Sequence, residues 1–248
     1  DKEAGKVHSE FPCPHCGATL TKRNMERAWV TKYDKAIGQT IRQAKQVPVL
    51  INYSVGKKRF EKKPDVFDLA LIEKVDQLDI PYWFPTNQMP EGYNTEQPKV
   101  SHGLTHVHHF YTKRNLWVLG ALRSKISIPQ TMLMFNSQLI NISRLNRYRP
   151  EVSFPYNPLS GTLYVGSQIS EANVFTAYEN KIKRLSKAFS EVKGRSFIFD
   201  ESAERSEIES DHVDYIFTDP PFGGNLMYSE LNFLWEAWLK VFTNNKPE

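Results

Sequence analysis

The chain has 248 residues, 40% hydrophobic and 12% aromatic, which suits a protein with a buried core and argues against global disorder. It contains no run of 18 apolar residues, and Asp1-Lys2-Glu3-Ala4-Gly5-Lys6 has no apolar signal core behind it, so neither a membrane span nor a secretory leader is expected. The net charge of +4 is uneven: residues 1–63 hold fourteen Lys/Arg against six Asp/Glu, whereas residues 151–248 hold nine against fifteen.

A basic front end suits a phosphate backbone, because each neutralised phosphate releases counterions. It equally suits a solvated lysine-rich surface. Two cysteines three positions apart make no disulfide framework and point to a reducing, cytoplasmic setting.

In chain order, residues 11–24 read as a knuckle, a tight turn between two short strands. Residues 26–33, 39–45, 47–54 and 57–62 alternate polar and apolar positions and are broken by Gly38, Pro48 and Gly56, the pattern of a small antiparallel sheet. Pro64-Asp65 opens a helix with Val66, Leu69, Ala70 and Ile72 on one face. Residues 79–103 are rich in Pro, Gly and Asn and read as an extended loop. Thr112 is a plausible N-cap for a helix through Leu116, Leu119 and Leu122. Pro129 starts another, through Met132, Met134, Leu139 and Ile142. Residues 146–160, with three prolines, form a loop.

Leu163-Tyr164-Val165 is a candidate short strand, and residues 171–192 a long amphipathic helix. Phe197–Phe199 and Val213–Thr218 are expected to be brief buried strands, with a helix from Tyr228 to Phe242 closing the chain. Strand, helix, strand, helix implies a parallel α/β sheet. Three regions follow: 1–63, basic and β-rich; 64–160, helices and loops; 161–248, part of an α/β domain.

The chemistry concentrates at Asp219-Pro220-Pro221-Phe222. In open α/β sheets, ligands bind beyond the carboxyl ends of the strands, where Asp219 is expected. The two prolines fix φ and remove two N–H donors, leaving carbonyls free to accept. The Asp219 carboxylate and the Pro220 carbonyl could take both hydrogens of an exocyclic amino group. Such a nitrogen is a poor nucleophile while its lone pair is delocalised into the base ring. Two preorganised acceptors draw it toward tetrahedral geometry and accommodate the charge that builds during attack on an activated methyl. Phe222 offers a flat face to a base swung out of the duplex. Asp-Pro-Pro can also be a plain turn; the apolar run before it, Gly223-Gly224 after it and the helix beyond favour the functional reading.

Thr218–Phe222 resembles the D-P-P-[YF] motif of amino-directed DNA methyltransferases. Asn225-Leu226-Met227-Tyr228-Ser229-Glu230-Leu231, with Trp235 and Trp238, resembles one subgroup, the large zinc-ribbon-containing adenine-specific DNA methylases. Phe110-Tyr111-Thr112-Lys113-Arg114-Asn115-Leu116 resembles that group's F-T-P-R-Q-L-L stretch, with Lys113 in place of proline. Phe11-Pro12-Cys13-Pro14-His15-Cys16-Gly17 resembles the first knuckle of its zinc ribbon.

The resemblance implies a partial class I (Rossmann-like) methyltransferase sheet, a zinc-ribbon-like front region, S-adenosylmethionine as cofactor and DNA as substrate, in a restriction–modification or phage-defence setting. It assigns amino-group recognition to Asp219, Pro220, Pro221 and Phe222, and places Asp200 and Ser202 near the cofactor adenine.

The chain departs from that group in lacking its glycine-rich cofactor loop, which implies an internal fragment whose remaining sheet lies upstream and downstream in the same polypeptide. Cys13 and Cys16 supply half a zinc site. Zinc completed by distant histidines competes with a degenerate ribbon carried by its strands, and the latter is preferred. Within Thr105-His106-Val107-His108-His109, strand alternation would put His106 and His108 on one face. Phe60, Tyr82, Trp83, Phe84 and Tyr93 are candidates for base stacking or for core plugs. Two further readings remain: methyl transfer to RNA or protein amides, whose enzymes carry Asn in place of Asp, and a non-catalytic nucleic-acid-binding module. The chain by itself is expected to bind S-adenosylmethionine poorly and not to methylate DNA; micromolar binding in calorimetry would refute this.

Overall fold

A computed structural model describes residues 8–21, 23–149, 156–193, 208, 211–219 and 226–243. The fold is mixed α/β, with small antiparallel sheets and seven α-helices among these residues. The front region is three separate two-stranded hairpins rather than one sheet. Strands β1 (Glu10–Pro12) and β2 (Thr19–Thr21) flank the cysteine knuckle, β3 (Trp29–Asp34) pairs with β4 (Gln39–Ala44), and β5 (Ile51–Val55) pairs with β6 (Lys58–Lys62). Gly38 and Gly56 take positive φ at the two longer hairpin turns, where L-residues are disfavoured.

Helix α1 (Val66–Gln77) begins at a capping box. The Asp65 carboxylate accepts from the backbone N–H of Phe67 and Asp68, and Asp68 accepts from the Asp65 N–H. None of its residues is buried, and Phe67 is 82% exposed. The apolar face expected from its spacing is only half-buried, at Ile72 and Val75, and the helix end is tied to α3 by the Lys113 ammonium, which donates to Asp76 O.

The stretch expected as an extended loop over 79–103 contains a helix, α2 (Tyr93–His102). Its glycines mark the ends. Gly92 is the N-cap, and Gly103 closes the C-terminus in the left-handed region, with its N–H bonded to Lys99 O and that of Leu104 to Pro98 O. Gly103 is also required by space, since a Cβ there would lie 2.1 Å from Arg42 O of β4. The buried carboxylate of Glu230 replaces a side-chain cap at the other end: its Oε2 accepts from Asn94 N at 2.6 Å.

Thr112 caps α3 (Lys113–Arg123) through the Asn115 N–H, as its sequence suggests. The helix expected from Pro129 to Ile142 is broken at Ser137-Gln138 into α4 (Pro129–Asn136) and α5 (Leu139–Ile142). In the stretch 163–165, Leu163 and Val165 are buried and Tyr164 half-buried, but it is not a strand. The Gln97 side chain acts as its neighbour instead, donating to Val165 O and accepting from Val165 N. Helix α6 (Val174–Glu191) buries Val174, Ala177 and Tyr178, while Phe175, Ile182 and Phe189 stay exposed.

Helix α7 (Tyr228–Leu239) drives Leu234, Ala237 and Trp238 into the core. Trp238 meets Tyr111, Phe135 and Trp83 edge-on, with centroids 5.3–6.0 Å apart, and donates from its indole N–H to the Tyr111 hydroxyl at 3.3 Å. The segment expected as a buried strand at 213–218 is exposed and unpaired among the described residues, with Tyr215 and Phe217 both 79% exposed. A buried strand needs flanking strands to satisfy its backbone, and no strand of the described residues lies beside it. The expected strand 197–199 lies outside the described residues.

These packing differences set an expected contrast. Phe135→Ala should cost about 3–5 kcal/mol, and Phe67→Ala less than about 0.5 kcal/mol, in urea-unfolding midpoints. Equal losses would contradict this placement of the core.

Candidate functional site

The anticipated site residues are not brought together by the described part of the chain. Asp219 lies at the end of the exposed 211–219 segment and has no hydrogen-bond partner among the described residues. Pro220, Pro221, Phe222, Asp200 and Ser202 lie outside the described residues. Cys13 and Cys16 sit in a tight turn in which Gly17 N donates to Cys13 O and Cys13 N to Ala18 O. Hydrogen bonds from the backbone N–H groups of His15 and Cys16, then from the Cys16 side chain, hold the Cys13 thiol below its usual pKa. The structure sets no third metal-binding side chain beside the two thiols among the described residues.

The histidine-rich stretch does converge, though differently from strand alternation. Val107–Phe110 is a 3₁₀ turn. At three residues per turn, Val107 and Phe110 fall on one side and are fully buried in the core. His108 and His109 project elsewhere, and both Nε2 atoms reach the same oxygen, Asp34 Oδ2, at 2.8 Å. Asp34 is the last residue of β3, and its other oxygen accepts from Ala36 N at 3.0 Å, an Asx turn that fixes the carboxylate at the hairpin tip. His106 stands at the edge, its ring centroid 5.2 Å from that of His109 and 5.8 Å from that of His108. Thr105 Oγ1 bridges His106 Nδ1 at 2.9 Å and His109 Nδ1 at 3.4 Å.

The electrostatics make this an ionised carboxylate held by neutral imidazoles. Burial pushes the Asp34 carboxyl up, and the bonds from His108 and His109 more than offset it, leaving a pKa of about 2. Burial, then the neighbouring His108, lowers His109 to about 3; burial likewise lowers His108 and His106. The Lys32 ammonium nearby is pushed down by burial and by Arg144, against the pull of Asp34 and Asp76. His108 Nδ1 is buried without a hydrogen-bond partner. These groups present two neutral nitrogens and one anionic oxygen within 4.8 Å of one another, a donor set suited to a divalent metal ion. Sequence reasoning picked out His106 and His108 but missed Asp34. It lies 74 residues away, and nothing local distinguishes it from any other turn aspartate.

A second buried histidine serves structure. His102 Nε2 lies 2.6 Å from the Arg27 guanidinium, and its Nδ1 faces Ser101 Oγ at 2.7 Å. These contacts tie α2 to the segment before β3. The recess between Gln88–Glu91 and Thr95, Lys99, Leu104 and Thr105 is about 20 Å³, room for a water rather than a cofactor.

Comparison of the chain with known protein families, with curated proteins and with solved structures finds no match.

Burial, then the charge of Arg27, lowers His102 to about 4, with Gly166 opposing and Arg144 assisting. The folded pKa lies below the unfolded value near 6.5, so on acidification the unfolded chain takes up this proton first. Stability should therefore fall from about pH 6.5 toward about pH 4, by at most about 1.4 kcal/mol per pH unit for this one group. His102→Gln should flatten the pH dependence of the urea midpoint; an unchanged slope would contradict the assignment.

Proposed function

We propose that this chain contributes the amino-group recognition segment of an S-adenosylmethionine-dependent DNA methyltransferase acting on an exocyclic amino group, with adenine N6 as the favoured acceptor. The observation that carries the reading is the sequence Asp219-Pro220-Pro221-Phe222 beside an apolar run, with the Asp219 carboxylate exposed to solvent. An exposed carboxylate can accept a hydrogen bond from an incoming base. Supporting it, two stretches that resemble the adenine-specific methylases pack against each other: Tyr111, from the Phe110–Leu116 stretch, and Trp238 of α7 share the core contact described above.

In this reading Asp219 and the Pro220 carbonyl accept the two amino hydrogens, and Phe222 stacks on the base. The cofactor supplies an activated sulfonium methyl. The chain's own contribution is to orient the nitrogen and stabilise the charge that develops on it. The segments proposed to contact the cofactor, around Asp200 and Ser202, and a Rossmann-like arrangement of the sheet belong to the same proposal.

One observation favours the alternative of a non-catalytic nucleic-acid-binding module. On the β5–β6 hairpin, Tyr53 and Phe60 are cross-strand partners, stacked at 5.5 Å and each more than 40% exposed. Lys58, opposite Val55, and Lys62, opposite Ile51, lie on the same face, and Lys57, Arg59 and Lys63 adjoin it. An aromatic platform ringed by cations is suited to bases and phosphates. It serves either reading, because a methyltransferase must also hold DNA.

Asp219→Ala in the polypeptide that carries this chain separates the two. Methyl transfer to DNA should fall by at least about 100-fold, the scale of losing one oxyanion-type contact, with DNA affinity in a salt titration unchanged. Unaltered methylation, or loss of binding with it, would overturn the assignment of Asp219.

A further inference from the structure

We propose that Asp34, His108 and His109 form a binding site for a divalent transition-metal ion of the zinc class, which ties the β3–β4 hairpin to the helical core. The site is distinct from the cysteine knuckle and independent of the methyl-transfer reading. Three ligand atoms from two elements 74 residues apart already lie within 4.8 Å of one another. Both imidazole side chains are more than nine-tenths buried, and the carboxylate nearly so. Two imidazole nitrogens and one carboxylate oxygen are the ligand types that zinc and its neighbours take.

The dimensions fit with little movement. Tetrahedral bonds of about 2.0–2.2 Å set ligand atoms about 3.3 Å apart. Each Nε2 now stands 2.8 Å from Asp34 Oδ2, so an ion replaces the two bridging hydrogens if each of these two separations opens by roughly half an ångström. The displaced hydrogens move to the opposite ring nitrogens, since each imidazole stays neutral with one N–H. For His109 the acceptor is in place, Thr105 Oγ1 at 3.4 Å from Nδ1. His109 Nδ1 meanwhile gives up its 3.2 Å bond from Thr105 N.

His108 Nδ1 is buried without a protein partner, so the hydrogen it takes up when its Nε2 binds the ion requires a water as acceptor. The His106 ring, with its centroid 5.2 Å from that of His109 and 5.8 Å from that of His108, stands beside the three ligands, and the fourth position is open to it or to water. The ion would join the hairpin tip to the turn that carries Val107 and Phe110 into the core.

The test uses the full chain with Cys13→Ser and Cys16→Ser, which removes the thiol ligands. Titrated with Co²⁺, it should show tetrahedral d–d bands that saturate at one equivalent and are displaced by Zn²⁺, with a zinc Kd of about 1 µM or tighter. His108→Gln and His109→Gln, whose amides can still donate to Asp34, should each weaken binding at least about 100-fold. X-ray absorption of the zinc-loaded wild-type chain at one equivalent needs no variant: the proposal expects nitrogen and oxygen neighbours with imidazole scattering. No binding by the double-serine chain, sulfur-only scattering, or zinc affinity unchanged by both glutamine variants would overturn the site.

Discussion

The seating of Trp238 among Tyr111, Phe135 and Trp83 is the contact on which the rest of the structure depends. It joins the last described helix to the turn before α3 and to α4, three elements far apart in sequence. An indole packed edge-on against three rings removes a large apolar surface from water, and its one polar atom is satisfied by the Tyr111 hydroxyl. Around this centre several polar side chains tie neighbouring elements together. Asn115 donates to the carbonyls of Ile142 and Ala172, Tyr178 to Phe135 O, Trp235 to Asn136 O and Arg123 to Trp238 O. Glu171 accepts from Thr112 and from the Arg114 guanidinium, pinning the start of α6 to the start of α3.

That arrangement bears on function through α7. The helix is held at its first turn by Glu230, which serves as the cap of α2, and near its end by Trp238. The chain that enters it therefore arrives from a fixed point, while the Asp219 segment upstream stands clear of the core. The exposed apolar side chains of 213–217 are costly to leave in water over so short a stretch. In the methyl-transfer reading they are covered by neighbouring strands of the sheet.

Local signals were legible in the sequence wherever the backbone decides the outcome alone. Asp65 and Thr112 cap the helices they were expected to cap, the cysteine knuckle sits between two strands, and the β5–β6 turn falls at Gly56. The failures come from tertiary partners. Helix α2 was hidden because its N-terminus is capped by a carboxylate 136 residues away and its C-terminal glycine was read as loop. Leu163–Val165 looked like a strand because it is apolar and largely buried, but its partner is one glutamine side chain. The histidine cluster was half visible: the residues were conspicuous, while period-two alternation put the wrong pair on one face of what is a 3₁₀ turn. Asp34 had no local signature at all.

Two kinds of chemistry follow from one distribution of charge. The basic front hairpins carry an exposed aromatic and cationic surface, and the tip of one of them also places a largely buried carboxylate against the core histidines. In the methyl-transfer reading, both would hold the molecule and its substrate in place for a reaction centred on Asp219. The most direct measurement is transfer of a labelled methyl group from S-adenosylmethionine by the polypeptide that contains this chain, followed by digestion of the DNA to nucleosides. Label in N6-methyladenine is the expected result. Label confined to RNA or protein, or absent from all three while DNA is bound, would contradict the account.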